Sequence, residues 1–315
     1  MCDASPEMEK RGIGTLKVSV VGLGTNNFGS RLDTAASASV LDACLEVGVN
    51  FIDTAEVYGN GESERQIGAA IKGRREHFVL ATKFRPPGTS QRIREAVEGS
   101  LQRLGTDRID LYQMHAPDTA TPIDETLAVL DELVGEGKVR EIGSSNFSGW
   151  QIADADWTSR TKSLARFVSA QNRYSLLDRD AEHEVIPACV HFGQAMIPYS
   201  PLANGLLTGK YRRAEPPPAG ARLSEERLRP YLSDERFDVV EALGAFASER
   251  GVSILDVAIG GLAAMPAVAS VIAGATSSDQ VYANARAGSW RPSENDLAAL
   301  KEVLDSARKK PVRAR

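Results

Sequence analysis

Only three cysteines and four histidines occur in the 315 residues. Cys2, Cys44 and Cys189 lie far apart, form no Cys-x-x-Cys pair and do not cluster with histidine at metal-ligand spacing. A disulfide framework and a zinc centre are both unsupported, and no metal is expected. Positive charge is not in excess: 37 Lys and Arg against 42 Asp and Glu leave a net charge of −5. A mildly acidic chain is poorly suited to tracking a phosphate backbone, so nucleic acid is not an expected partner. There is no run of about 18 apolar residues, so no membrane-spanning helix is expected. The opening MCDASPEMEKRG lacks the apolar stretch of a secretory signal. These absences point to a cytoplasmic protein; nothing in the sequence sets an oligomeric state. No Pro/Ser-rich linker divides the chain either, so one domain is expected over 1–315. Within it, 1–13 reads as an N-terminal tail and 309–315 as a C-terminal one, the latter part of a basic stretch with Arg308.

What is present is an alternation. Short apolar runs at 18–24, 50–55, 78–84, 109–115, 140–146, 167–175, 195–202 and 270–275 read as strands. Segments of helical period lie between them. Residues 38–49 bring Val40, Leu41, Cys44, Leu45 and Val49 to one face. Residues 89–105 run from a Thr or Ser cap to Gly105, and 122–138 open at Pro122. Eight strand–helix units in roughly 250 residues is the arithmetic of an α/β (β/α)8 TIM barrel. The competing reading is a Rossmann domain, prompted by Gly22 and Gly24. It fails because position 27 is Asn27, not Gly, and no helical pattern starts until about residue 34. One Pro-rich, charged stretch, 211–235, interrupts the rhythm after the seventh strand and reads as an inserted loop.

Active sites of such barrels form at the carboxyl ends of the strands. The second strand ends at Asp53, with Tyr58 in the loop beyond; the third ends at Lys83 and the fourth at His115. Each has a plainer role taken alone, such as a helix cap or a packed polar residue. Together they form a coherent acid–base set. Lys83 sits in the apolar context Leu-Ala-Thr-Lys-Phe, so it is expected to be buried and to need a partner, which Asp53 can supply. An ammonium beside a phenol lowers its pKa, which would suit Tyr58 to donating a proton near neutral pH. His115 can hydrogen-bond and orient a substrate oxygen.

The segments GVNFIDTAEVYGNGESERQIG (48–68), ATKF (81–84), DLYQMH (110–115), GSSNF (143–147), QNRYS (171–175), YSPLANGLLTGKY (199–211) and IAGATSSDQVYANA (272–285) resemble the successive signatures of the aldo-keto reductase superfamily. The match spans about residues 14 to 305, and its hydroxyl-rich last loop is similar to the potassium-channel β-subunit branch. The resemblance implies a barrel that binds NADP(H) extended, without a Rossmann fold, and reduces aldehydes and ketones. It makes Tyr58 the general acid, assisted by Lys83 and Asp53, with His115 orienting the carbonyl. It sets Gly24, Thr25 and Asn26 beside the nicotinamide ribose and Ser145, Asn146 and Gln171 on the carboxamide. Tyr199 becomes the stacking face; Ser200, Pro201, Leu202, Asn204, Gly205 and Leu207 become the pyrophosphate cradle, with Lys210 adding charge. Gly274, Thr276, Gln280 and Asn284 fall where the family holds the 2′-phosphate and adenine. No basic residue occurs from 274 to 285, and Ala283 replaces a common Glu, so NAD(H) stays possible.

The substrate pocket is expected from Asn26, Asn27, Phe28, Val57, Phe84, Arg85, residues 116–118 and parts of 211–235. Its polar members suggest a hydroxylated or anionic substrate rather than a steroid. Three functions remain open: a carbonyl reductase, a sugar or alcohol dehydrogenase working oxidatively, and a nucleotide-sensing accessory subunit.

Overall fold

The computed structural model describes residues 8–308. Its first element corrects the expected tail: Lys10–Ile13 (β1) pairs antiparallel with Leu16–Ser19 (β2), Ile13 opposite Leu16. Gly14, at φ 55°, turns the hairpin. Alternation along KRGI and LKVS sends Ile13, Leu16 and Val18 to one face, all essentially fully buried. They pack on Phe51, Ala81, Leu111, Ile197, Ala269 and Ile272, the lower interior of a barrel. The expected strand 18–24 is therefore two strands, broken where Ser19 bonds the carbonyl of Val21 at 2.6 Å. Residues 1–7 of the expected N-terminal tail and the C-terminal tail 309–315 lie outside the described residues.

The barrel strands are β3 (Val21–Gly24), β4 (Phe51–Asp53), β5 (Val79–Phe84), β6 (Ile109–Met114), β7 (Val139–Ser145), β8 (Ser169–Arg173), β9 (Ala195–Tyr199) and β10 (Val271–Gly274). All neighbours are parallel, and β10 closes onto β3. The eight apolar runs are thus a (β/α)8 barrel. Helices wrap it: α1 (Thr34–Glu46), α2 (Glu62–Ala70), α3 (Ser90–Leu104), α4 (Ile123–Gly135), α5 (Gly149–Lys162), α6 (Val185–Phe192), α7 (Asp234–Glu249), α8 (Ile254–Ala263), α9 (Ser278–Ala287) and α10 (Glu294–Arg308).

Local chemistry sets their ends. The Asp33 carboxylate accepts from Ala36 N to start α1, and Ser277 does the same for Gln280 N at α9. Gly105, at φ 60°, stops α3. Pro122 stands just before α4 as its N-cap.

The 211–235 segment contains two short 3-10 turns, Arg222–Ser224 and Glu226–Tyr231, and is anchored at several points. Tyr231 lies 5.4 Å from the Arg173 guanidinium and 4.9 Å from that of Arg236. Both arginines bond the Asp178 carboxylate, and Glu225 pairs with Arg31 across the molecule. Leu223 is fully buried, its N–H donating to Tyr211 Oη at 3.1 Å.

Candidate active site

Asp53 ends β4, and Lys83 lies one inward step above its neighbour Ala81 on β5. Both side chains point into the barrel and are all but sealed from solvent. Lys83 Nζ donates to Asp53 Oδ2 at 2.6 Å and to the Thr54 carbonyl at 2.9 Å. The other carboxylate oxygen accepts from Gln171 Nε2 at 2.8 Å and Gln113 Nε2 at 3.3 Å. A buried ion pair is tolerated only with this kind of full satisfaction. Burial works against the Lys83 charge, but Asp53 and the nearby Tyr58 outweigh it, so its pKa is raised above the ordinary value.

Tyr58 opens a tight turn, Tyr58–Gly61, in which Gly59, Asn60 and Gly61 all take left-handed backbone. Gly61, at φ 84°, holds a backbone conformation that strains any residue with a Cβ, and a Cβ there would also displace the Arg103 side chain. The Lys83 ammonium lies 5.3 Å from the Tyr58 ring centre. His115 meets that ring edge-on, at 5.9 Å between centroids and 79° between planes. Three successive strand ends thus bring all four expected side chains together.

One expectation about them is reversed. Burial raises the Tyr58 pKa, Lys83 pulls it down, and Asp53 pushes it up again, for a net rise above 10.0. The phenol is a firmly protonated donor rather than a partly ionised one. His115 is driven the other way, to about 3, by burial and by the charges of Lys83 and Arg85. It is a neutral imidazole, and its Nδ1 has no partner among the described residues.

Above this floor lies a cleft of about 640 Å³. It is lined by Gly24, Thr25, Asn26 and Asn27 from the first strand's loop and by Ser145, Asn146, Gln171 and Tyr199. Ser200, Pro201, Leu202, Asn204, Gly205 and Lys210 follow, then Gly274, Thr276, Gln280 and Asn284. Tyr199 Oη donates to Asn146 Oδ1 at 2.8 Å, and Asn146 Nδ2 donates to the His115 carbonyl at 2.9 Å. These bonds tie the tyrosine to the backbone of His115. Ser200, Ala203, Asn204 and Gly205 all have positive φ, a local run of left-handed backbone held by the surrounding fold. Thr276 N and Oγ1 both donate to Gln280 Oε1, at 2.9 and 3.3 Å.

Eight expected contacts do not line the cleft: Phe28, Val57, Phe84, Arg85, Leu207 and residues 116–118. Phe28 and Phe84 are fully buried in the layer between barrel and helices, with the Phe84 and Tyr112 rings 5.2 Å apart. Alternation explains Phe84: it follows the inward-pointing Lys83 and so points outward. Leu207 is also buried in that layer. Val57 and Arg85 are exposed, outside the cleft wall.

Arg31, Thr208 and Leu255 line the cleft without having been foreseen, whereas Gly220, Ala221 and Arg222 come from 211–235, the stretch expected to contribute in part. Arg31 follows the first strand's loop, and that position alone could have flagged it. Arg222 comes from the insertion. Its Nε is buried without a partner, and its pKa is lowered by burial and by the charges of Arg31 and Arg227. Lys210 is likewise pushed down, by burial and by Arg31. Against these cations, Asp53 is the single carboxylate on the cleft wall among the described residues, and it is committed to Lys83. The described residues contain no group of His, Cys, Asp or Glu able to hold a metal, and no helix long and apolar enough to cross a membrane.

Comparison with known proteins agrees with this geometry. The model of the Aldo/keto reductase family matches residues 20–305. A Bacillus subtilis protein described as the uncharacterized oxidoreductase YrpG is 37% identical over 84% of this chain and 86% of its own length. A probable voltage-gated potassium channel subunit beta of rice, Oryza sativa subsp. japonica, is 36% identical over 82% of this chain and 84% of its own. The NADH-specific methylglyoxal reductase of Escherichia coli is 33% identical over 95% of this chain and 99% of its own. With the barrel and the family match covering the same residues, the chain belongs to the aldo/keto reductase family of nicotinamide-dependent oxidoreductases.

Proposed function

We propose that the protein reduces an aldehyde or ketone to an alcohol with NADP(H), Tyr58 giving the proton. The observation that carries this is the buried Asp53–Lys83 pair set beneath a protonated phenol, with a neutral His115 beside it. A reduced nicotinamide, when bound, supplies the hydride. The protein's part is then position and proton. His115, neutral at physiological pH, donates one hydrogen bond to the carbonyl oxygen and holds it near the phenol. As negative charge develops on that oxygen, the Tyr58 proton transfers to it. The Lys83 ammonium stabilises the phenolate left behind, and Asp53 keeps that ammonium in place.

The residues present fit the dinucleotide. Tyr199 offers an aromatic face pinned by Asn146. Gln171 has its amide nitrogen on Asp53, which leaves the carbonyl oxygen to accept from a carboxamide. The left-handed run 203–205 with Lys210 would take the pyrophosphate. The partnerless Arg222 Nε, with Thr276 and Gln280 lining the same cleft, supports NADP(H) over NAD(H). A buried donor nitrogen on a half-buried guanidinium is satisfied when an anion arrives.

The test is steady-state oxidation of NADPH and of NADH with 4-nitrobenzaldehyde, read in both directions with the matching alcohol. Turnover preferring NADPH is expected. Tight cofactor binding with no turnover of any aldehyde would replace this reading with that of a nucleotide-sensing subunit.

A further inference from the structure

We propose that the exposed ridge of α5 is the contact surface of a two-fold symmetric dimer, its occupant being the same ridge of a second copy of this chain. The proposal goes beyond the reading of the cleft and does not depend on it.

The first observation is where the largest aromatics fall. The chain has three tryptophans. Trp290 packs against the core, but Trp150 is 65% exposed and Trp157 72%. Both lie on α5, one heptad apart, which sets them on one ridge about 10.5 Å apart along the helix axis. The other side of α5 is already used, with Ile152, Ala155 and Ser159 buried. Helical spacing thus gives α5 a second apolar line, and this chain leaves it uncovered. On α6, which packs beside α5, Val190 is exposed as well. Single exposed apolar residues are ordinary, whereas tryptophans are the residues that anchor protein–protein contacts.

The second observation is charge, and it says which partner fits. Asp154 and Arg160 stand three residues before and three residues after Trp157, flanking it on the exposed face. Asp154 is exposed and has no ion-pair partner among the described residues. Arg160 shares its acceptor. The buried Asp156 carboxylate takes Arg160 Nε at 2.7 Å and Arg166 Nε at 2.6 Å, so the three groups carry one surplus positive charge. An unpaired acid and a surplus base at equal steps from a central tryptophan complement themselves. A two-fold axis through the contact of Trp157 with the partner's Trp157, the helices crossing there, brings each Asp154 against the partner's Arg160. Isologous interfaces have this property, since residue i meets j and j meets i. A partner of one uniform charge would repel one of the two groups, so the ridge selects against it.

The test is sedimentation equilibrium from about 1 to 100 µM, a range that brackets micromolar association. Wild type should form a species of twice the mass of one chain. Trp157→Ser should weaken association by roughly thirtyfold or more, and it should melt with wild type because the ring is exposed. Two single variants test the charges. Asp154→Lys puts two bases at each contact and Arg160→Glu puts two acids there, so each alone should stay monomeric. Mixed in equal amounts they should associate again, because one contact then carries a reversed ion pair and the other the native one. Melting temperatures are read alongside, since Arg160→Glu places an acid near the buried Asp156. Should that variant fail to fold, loss of the dimer in both Trp157→Ser and Asp154→Lys supports the proposal, and persistence in either overturns it. A chain monomeric throughout the range, a dimer that survives Trp157→Ser, or folded charge variants that stay apart when mixed would each overturn it.

Discussion

The two ends of the cleft treat charge in opposite ways. At the floor, the Lys83 ammonium and the Asp53 carboxylate meet at 2.6 Å, and amides of Gln171 and Gln113 satisfy what remains. At the end where the insertion meets the cleft, the Arg222 Nε is buried with no acceptor, and the exposed Lys210 is pushed down by partial burial and by the Arg31 charge. The floor is complete before any ligand arrives, as a site of charge development must be. The far end is incomplete and is stabilised only when an anion fills it. On the proposed reading, pre-pairing serves the chemistry and missing pairs serve the binding.

Breaking the floor should give the largest effect. Lys83→Met leaves Asp53 as a buried carboxylate with only amide donors, and removal of one partner of such a pair costs about 3–5 kcal/mol of stability. Both the melting temperature and the reduction rate should fall sharply; a variant that melts with wild type would mean the pair is not needed for the fold. Tyr58→Phe keeps the ion pair and removes the proton donor alone. Its rate should drop by roughly 10²- to 10⁴-fold, with cofactor affinity nearly intact, as measured by kcat and fluorescence titration. Retention of kcat would take Tyr58 out of the mechanism.

Breaking the far end should act on binding. Arg222→Gln removes the partnerless donor and should weaken NADPH by about tenfold to a hundredfold, with a smaller loss for NADH. Equal losses for the two nucleotides would move Arg222 away from the 2′-phosphate. The smallest effect concerns pH. His115 titrates at about 3 and the Tyr58 phenol above 10.0, so neither changes charge between pH 5 and 9. For a group with lowered pKa such as His115, the neutral form prevails at every pH above that value. The pH profile of kcat/KM for reduction should therefore be flat through that window and fall on the alkaline side, where the donor is lost. A limb near pH 6.5 would show an imidazole with an ordinary pKa and contradict the buried, neutral His115.

The strand ends that hold the tetrad were legible because short apolar runs stop at Asp53, Lys83 and His115, and stops in a parallel barrel are where side chains meet the mouth. The misreadings have local causes. Lys10–Ile13 looks like tail because half its residues are charged, yet Lys10 is on the outer face of a hairpin while Arg11 shares the side of Ile13 and donates to the carbonyls of Ala263 and Val268. Phe28 and Phe84 look like pocket walls by proximity in sequence, although the period-two alternation beside Lys83 already turns Phe84 away.

By itself the sequence determined the number of strand–helix units, their order, and the residue types at their carboxyl ends. Periodicity and turn residues act over a few positions, and one chain suffices to express them. Only the tertiary structure decided that burial outweighs Lys83 at the Tyr58 phenol. Desolvation there depends on how densely the surrounding strands and turns close over the ring. It alone, too, singled out Arg222 within the insertion and left its Nε without a partner. That contact joins the insertion to a barrel mouth built from strands far away in the chain, and no local pattern encodes where a long loop comes to rest.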